Sequence, residues 1–245
     1  MNINHILFLL ILFIFLLALF RKFKILQENV NFSDHKKLGN INKNPVLIGG
    51  VFILLSILIF VSDSFIYFKI CAILIFFTGI LSDKNIISSP KLRLFFQIIV
   101  IFFLTHFEKL SIVEIHIDFI DYLLTINYFN YFFLIFCFAV LVNGSNFVDG
   151  LNGLLSGYFI LILTSIFYIT NYKLNISSDI KQIINLFLVI TIIFYTFNLF
   201  GIVYLGDSGS YLLSISVGFI LIKIHQDTYL LSPYYIANVL WYPAF

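Results

Sequence analysis

The chain has 245 residues, of which 61% are hydrophobic and only 11% are charged, and its formal net charge at pH 7 is +2. This composition excludes a soluble globular domain, and so small a net charge gives no support for nucleic-acid binding. Apolar windows long enough to cross a bilayer recur along the whole length. We therefore predict an all-α polytopic membrane protein with a single membrane domain over residues 1–245.

Eight membrane-spanning helices and the start of a ninth are predicted in chain order. Their spans are roughly residues 4–20, 46–61, 65–81, 94–106, 129–142, 154–170, 183–200, 210–224 and a last helix that opens at 233. Basic residues follow the first span and no cleavage site is evident, so we interpret it as an anchor helix. The acidic stretch from about 107 to 128 alternates in polarity, which indicates a short strand pair or an interfacial segment.

The lysines and arginines predict how these helices are oriented. If the N-terminus lies outside and each helix crosses once, nine of the fourteen basic residues fall in inner loops and five in outer ones. The positive-inside rule favours this orientation. Four polar segments (residues 34–50, 82–93, 143–153 and 206–209) then all face the cytoplasm, where nucleotides are found.

The third polar segment is the strongest candidate for chemistry. Four polar side chains follow one another at intervals of three, which gives one stripe if the preceding helix continues: Asn143, Asn146, Asp149 and Asn152. Gly150 and its neighbouring glycines allow a ligand or a helix to approach closely. A carboxylate among amides and glycines suits a metal–phosphate or nucleotide site. The alternative is a polar helix end with an Asx turn.

The fourth segment contains one isolated acid, Asp207, among small residues. Mg²⁺ prefers carboxylate oxygens and takes its other ligands from water and substrate phosphates, so Asp207 is a candidate metal ligand. The alternative is that Asp207 or Ser208 caps the helix that follows.

The second and first segments are weaker when taken alone. Asp83 precedes Lys91 and Arg93, and one interpretation is that the three belong to a solvated basic loop. The other is that Asp83 binds a metal ion or transfers a proton, beside cations that bind a diphosphate. Pro90 is typical of a helix start, with a preceding serine as its cap. The first segment is a basic loop with Lys36 and Lys37, followed by two glycines that permit close helix packing.

Taken together and in order, the four segments resemble the polyprenyl-phosphate N-acetylhexosamine-1-phosphate transferases of glycosyltransferase family 4. That family includes undecaprenyl-phosphate GlcNAc-1-phosphate transferase and phospho-MurNAc-pentapeptide translocase. The matching motifs are Asn44-Pro45 through Gly49-Gly50, Gly79 to Asp83 with Ser89-Pro90-Lys91-Leu92-Arg93-Leu94 and Gln97, Asn143-x-x-Asn146-Phe-x-Asp149-Gly-Leu-x-Gly-Leu154, and Leu205-Gly206-Asp207-x-Gly-Ser210.

The resemblance implies transfer of a sugar-1-phosphate from a UDP-N-acetyl sugar to undecaprenyl phosphate within the lipid bilayer, with release of UMP. It also implies a requirement for Mg²⁺, with Mn²⁺ as an alternative, and a place in the bacterial cytoplasmic membrane at the start of surface-polysaccharide or cell-wall synthesis. A homodimer is left open.

By position, the resemblance assigns roles to eleven residues. The implied catalytic residues are Asp83, Asp149 and Asp207, and the implied metal ligands are Asp207, Asn146 and Asp83. The implied substrate-binding residues are Asn143, Asn146, Gly150, Asn152, Lys91, Arg93, Lys36 and Lys37.

The sequence departs from the family pattern in three ways. Ser82 stands in place of the first acid of a pair, Asn152 stands in place of another acid, and relatives continue beyond Phe245. We therefore expect the domain to be incomplete at its C-terminus. A catalytically inactive relative that binds lipid phosphate or a partner is an alternative. A transporter is less favoured, because the acids lie in loops at one face and not in mid-helix.

Overall fold

A computed structural model of the protein describes residues 1–26, 45–172, 176–228 and 231–241. Within these residues ten α-helices are present: α1 (Ile3–Phe23), α2 (Gly49–Phe60), α3 (Ile66–Asp83), α4 (Pro90–Phe107), α5 (Asp118–Leu124), α6 (Asn127–Val148), α7 (Leu154–Tyr172), α8 (Ser178–Leu199), α9 (Gly206–Thr228) and α10 (Pro233–Trp241). Two short strands, β1 (Val46–Leu47) and β2 (Val203–Tyr204), pair in parallel.

Seven of the helices are long and apolar enough to cross a membrane, namely α1, α3 with the 3₁₀ turn Asp63–Phe65 before it, α4, α6, α7, α8 and α9. Each carries the continuous apolar run that a bilayer span requires. Each of the two remaining predicted spans contains a helix, but α2 has only 12 residues, because β1 occupies the start of the predicted span 46–61, and α10 has only 9. The predicted all-α polytopic class is therefore confirmed, while the number of crossings and their orientation stay predictions.

The acidic stretch from about 107 to 128 contains the short helix α5 and no strand pair among its described residues, and residues 108–117 before α5 are irregular. Side chains satisfy its backbone: the two carboxylate oxygens of Asp121 accept from the amides of Ile115 (2.7 Å) and Ile117 (3.0 Å). The Asn130 amide accepts from Ile112 N (3.1 Å) and donates to Ile112 O (2.7 Å). Because these groups already have partners, a second strand is not needed to satisfy them.

Helix α9 lies at the centre of the bundle and is almost entirely buried. It packs against α3, α6 and α2. Glycines allow this close packing: a Cβ atom added at Gly79 would lie 2.2 Å from Ser208 Cα, and one added at Gly218 would lie 2.6 Å from the Phe138 ring. Close approach through small residues is the usual means of helix association in membranes.

The two strands set the start of α9 beside the start of α2. Val46 pairs with Val203 and Leu47 pairs with Tyr204, and each strand is followed within two residues by a helix. The parallel pairing therefore brings the N-termini of α2 and α9 to the same end of the bundle.

At the opposite end of the bundle, a largely buried ion pair between Glu108 and Lys223 joins the end of α4 to α9. Glu108 follows α4, and its carboxylate accepts from Phe68 N in the first turn of α3 at 2.9 Å. Lys223 Nζ donates to the Glu108 backbone oxygen (2.9 Å) and lies 3.8 Å from its carboxylate. Burial raises the pKa of the Glu108 carboxyl, against the opposing effects of the Phe68 amide and of Lys223.

Candidate active site

Residues from the second, third and fourth polar segments meet at the end of the bundle where α3 and α6 finish and where α4 and α9 begin. The first segment reaches the same place through the glycine pair at the start of α2, since a Cβ atom at Gly50 would lie 2.6 Å from Ser208 Oγ. Residues far apart in the sequence are therefore adjacent here.

Asp83, the last residue of α3, caps the first turn of α9. Its Oδ1 accepts from Asp207 N at 2.7 Å and its Oδ2 accepts from Ser208 N at 3.2 Å. The close fit depends on Gly206, which has φ +71° and on which a Cβ atom would lie 3.0 Å from both carboxylate oxygens. The alternative that Asp207 or Ser208 caps this helix is wrong, because α9 begins at Gly206 and Asp83 supplies the cap.

Three side chains surround one oxygen of Asp207. Its Oδ2 accepts a short hydrogen bond from Ser82 Oγ, a charged one from Arg93 Nη1 at 3.2 Å, and a longer one from Tyr211 OH at 3.5 Å. Arg93 Nη1 also donates to Ser82 Oγ at 2.9 Å. The other oxygen, Oδ1, has no hydrogen-bond partner among the described residues. Asp207 is therefore held by one oxygen and open at the other.

The amides of α6 approach this cluster from a second side. Asn146 Oδ1 accepts from Ser210 Oγ at 3.0 Å, which joins α6 to the second turn of α9. Asn143 Nδ2 donates to Gln97 Oε1 at 2.9 Å and to Ala139 O at 2.8 Å. Gln97 is fully buried on α4, so its hydrogen bond holds the Asn143 side chain of α6 against α4.

The predicted polar stripe of the third segment is interrupted, because α6 ends at Val148. Asn143 and Asn146 lie on the helix, whereas Asp149 is its half-buried C-cap residue, with its backbone N–H donating to Ser145 O at 3.0 Å. Gly150 and Asn152 are exposed in the turn that leads to α7. Gly150 and Gly153 follow this helix end, and Gly153 has φ +79°, which a right-handed helix cannot accommodate.

The basic residues predicted to bind substrate are placed differently from one another. Arg93 is about a quarter exposed and contacts Asp207, whereas Lys91 is exposed in the first turn of α4. Pro90 begins that helix as predicted, with Ser89 before it, although the Ser89 side chain makes no capping hydrogen bond. Lys36 and Lys37 lie outside the described residues.

Asn198 is a residue that the sequence analysis missed. It is 4% exposed near the end of α8, where its Oδ1 accepts from Gly153 N at 2.7 Å and its Nδ2 donates to Val203 O at 2.9 Å. It therefore joins α8 to the start of α7 and to β2. The feature of the sequence that could have indicated Asn198 is its position as a lone amide in the apolar run that precedes Gly201.

These side chains fit Mg²⁺ bound through a single carboxylate. Protein sites for Mg²⁺ often supply one or two carboxylates and leave the other positions to water and substrate phosphates. Asp207 Oδ1 is open for this purpose, with the amide of Asn146 nearby on α6, while both oxygens of Asp83 already accept backbone N–H groups. No cluster of three or more His, Cys, Asp or Glu side chains occurs among the described residues.

Two comparisons with known proteins bear on identity. No curated protein matches the chain. The family model described as glycosyl transferase family 4 matches residues 65–225, which is more than half of the chain and includes Asp83, Arg93, Asn146 and Asp207. The chain therefore belongs to glycosyl transferase family 4.

Proposed function

We propose that this protein transfers an N-acetylhexosamine-1-phosphate from a UDP-sugar to a polyprenyl phosphate, such as undecaprenyl phosphate, and releases UMP. Membership of a transferase family suggests sugar-phosphate transfer to a polyprenyl phosphate. The observation that carries the proposal is the meeting of Asp207, Arg93 and Asn146 at one end of a bundle of membrane-type helices.

Asp207 would hold Mg²⁺ through Oδ1, with Asn146 beside it. When bound, the ion would offset the negative charge of a diphosphate and of an attacking phosphate. The three donors on Asp207 Oδ2 keep the carboxylate in one orientation, and the Asp83 cap fixes the backbone that carries it. We therefore favour a positioning role for Asp83 over direct ligation. Arg93 supplies a guanidinium, which is well suited to phosphate oxygens.

An apolar groove beside the site suits a lipid acceptor. It lies between α4 and α6, has a volume of about 420 Å³, and is lined by residues that include Leu94, Ile98 and Phe136. Asn143, on the same helix as Asn146, lines it as well. A polyprenyl chain in this groove would place its phosphate near the amides, and we expect the site to face the cytoplasm, as the distribution of basic residues predicts.

The test is lipid-dependent UMP release by the purified protein. The protein in detergent is incubated with Mg²⁺, undecaprenyl phosphate and each member of a panel of UDP-N-acetyl sugars. We expect UMP release with at least one sugar, loss of release on addition of EDTA, and loss of release in Asp207→Asn. UMP release that persists in Asp207→Asn, or in EDTA, would contradict the assigned role of Asp207.

The arrangement around Ser82 favours a second candidate function, that of a non-catalytic relative that binds lipid phosphate. Ser82 stands where the resemblance implies an acid, and Arg93 is paired with Asp207, the carboxylate among the described residues that is open at one oxygen. A correctly folded protein that binds undecaprenyl phosphate but releases no UMP with any UDP-sugar would support this function over transfer.

A further inference from the structure

Ser82 connects the guanidinium of Arg93 to the carboxylate of Asp207. Arg93 Nη1 donates to Ser82 Oγ at 2.9 Å and to Asp207 Oδ2 at 3.2 Å, and Ser82 Oγ donates to the same Asp207 oxygen. Because serine carries no charge, Asp207 is the only acid of the three side chains with which Arg93 forms an ion pair. An acid at position 82 would compete with Asp207 for Arg93 and would add a second negative charge beside it.

We propose that Arg93, held by Ser82, is a built-in counter-cation for Asp207 that weakens divalent-cation binding to the nucleotide-free site. The inference rests on the proposed function, because it takes Asp207 to be the ligand of Mg²⁺.

The charges of the described cluster support this role. Two carboxylates lie here, but Asp83 directs both oxygens at backbone N–H groups in the first turn of α9, where the helix dipole is positive. The charge of Asp207 is therefore the one left for a metal ion, and Arg93 offsets it at 3.2 Å. A divalent cation would meet an Asp207–Arg93 pair with almost no net charge, and the positive charge of Arg93 would repel it. Both side chains are only about a quarter exposed, so water screens this repulsion incompletely.

A diphosphate would change this balance. It brings negative charge to the site, and a guanidinium binds phosphate oxygens with charge-assisted hydrogen bonds. Arg93 has donor capacity for such bonds at its exposed Nη2, which donates only a long hydrogen bond of 3.5 Å to Ser88 O. Cation and nucleotide should then strengthen each other's binding by the same factor, as linkage requires.

The test measures Mn²⁺ binding, in place of Mg²⁺, by electron paramagnetic resonance on the purified protein in detergent. The proteins are the wild type, Ser82→Asp, Arg93→Gln and the control Lys84→Gln, each with and without UDP. Lys84 is an exposed lysine beside Asp83, so its loss changes the net charge as Arg93→Gln does without touching Asp207. Without UDP, we expect Ser82→Asp and Arg93→Gln to bind Mn²⁺ about tenfold or more tightly than the wild type. Lys84→Gln should bind it like the wild type.

Each outcome is decisive for one of the two proposals. If neither Ser82→Asp nor Arg93→Gln binds Mn²⁺ more tightly than the wild type, or if Lys84→Gln tightens binding equally, Arg93 is not a counter-cation. If Arg93→Gln does not fold, the Mn²⁺ affinity of Ser82→Asp alone decides whether Arg93 is a counter-cation. If the expected order holds but UDP does not raise the Mn²⁺ affinity of the wild type, the role of Arg93 stands and the proposed function fails.

Discussion

Replacement of Gly79 by alanine should separate α3 from α9 and disrupt the site from a distance. The added Cβ atom would lie 2.2 Å from Ser208 Cα and 2.5 Å from Ser208 N, both of which are backbone atoms that cannot rotate away. Ordinary contact begins near 3.4 Å, so the helices must move apart by about 1.2 Å, the difference between 3.4 and 2.2 Å. The 2.7 Å bond from Asp207 N to Asp83 would not survive such a shift.

The expected cost combines overpacking with the loss of that cap. Inserting a methyl group into a packed core costs about 1 to 3 kcal/mol, and a lost hydrogen bond to a charged group costs a further 1.5 to 3 kcal/mol or so. Together these predict a midpoint of thermal unfolding lower by about 5 °C or more. Transferase activity should fall as well, because Ser82 and Asp207 are on the two separated helices.

The assay is thermal unfolding in detergent, followed by intrinsic fluorescence, with UMP release measured in parallel. Gly157→Ala is the matched control: its Cβ atom would meet only the movable Tyr195 ring, at 3.3 Å, and alanine is the better helix former. We expect it to stay within about 1 kcal/mol of the wild type. Wild-type stability and activity in Gly79→Ala would refute the close packing of α3 on α9.

Three further changes test other contacts. Asn198→Leu leaves backbone groups of α7 and β2 without partners, so it should lower stability by about 2 to 4 kcal/mol in thermal unfolding, whereas Asn171→Leu, at an exposed site, should not. Asp83→Asn keeps one acceptor oxygen and should cost about 1 to 2 kcal/mol, with reduced UMP release because the backbone of Asp207 is less well fixed. Burial raises the pKa of Glu108, so the stability contributed by this group is full below its ordinary pKa and is lost as the pH rises through the raised value. Against Glu108→Gln, the wild type should therefore lose thermal stability as the pH rises above the ordinary pKa of a glutamate, and a difference that does not change with pH would contradict the raised pKa.

The sequence was sufficient to locate the long apolar helices, although not the short α5, because the apolar length that a bilayer demands is a local property. The predicted span 154–170 is covered by α7, and the short predicted window 94–106 extends back to Pro90. The boundaries were less accurate at polar ends, where a cap or a turn decides the last residue. The third polar segment illustrates this, since the predicted span ended at residue 142, whereas α6 continues to Val148 and Asp149 follows as its C-cap residue.

The pairing within the site could not be predicted in the same way. Asp83 and Asp207 are 124 positions apart in the sequence, and nothing local to either indicates that one caps the helix of the other. The same holds for the side chain of Asn198, whose three partners lie at the start of α7 and in β2, and for the pairing of β1 with β2. Such contacts depend on how the whole bundle packs, whereas hydropathy reports only which segments enter it.

The burial of α9 explains why the site residues are on it. Among the seven candidate spans it has the lowest mean hydropathy and is the most buried. A central helix faces protein on all sides, so it can carry glycines and hydroxyls that a lipid-facing helix would expose; Ser214 and Ser216 return their hydroxyls to carbonyl groups one turn earlier. The glycines that let α3 and α2 pack against α9 also bring Ser82 and Asp83 to Asp207. Packing of the core and assembly of the site therefore depend on the same contacts, and a substitution at that interface should not alter one without the other.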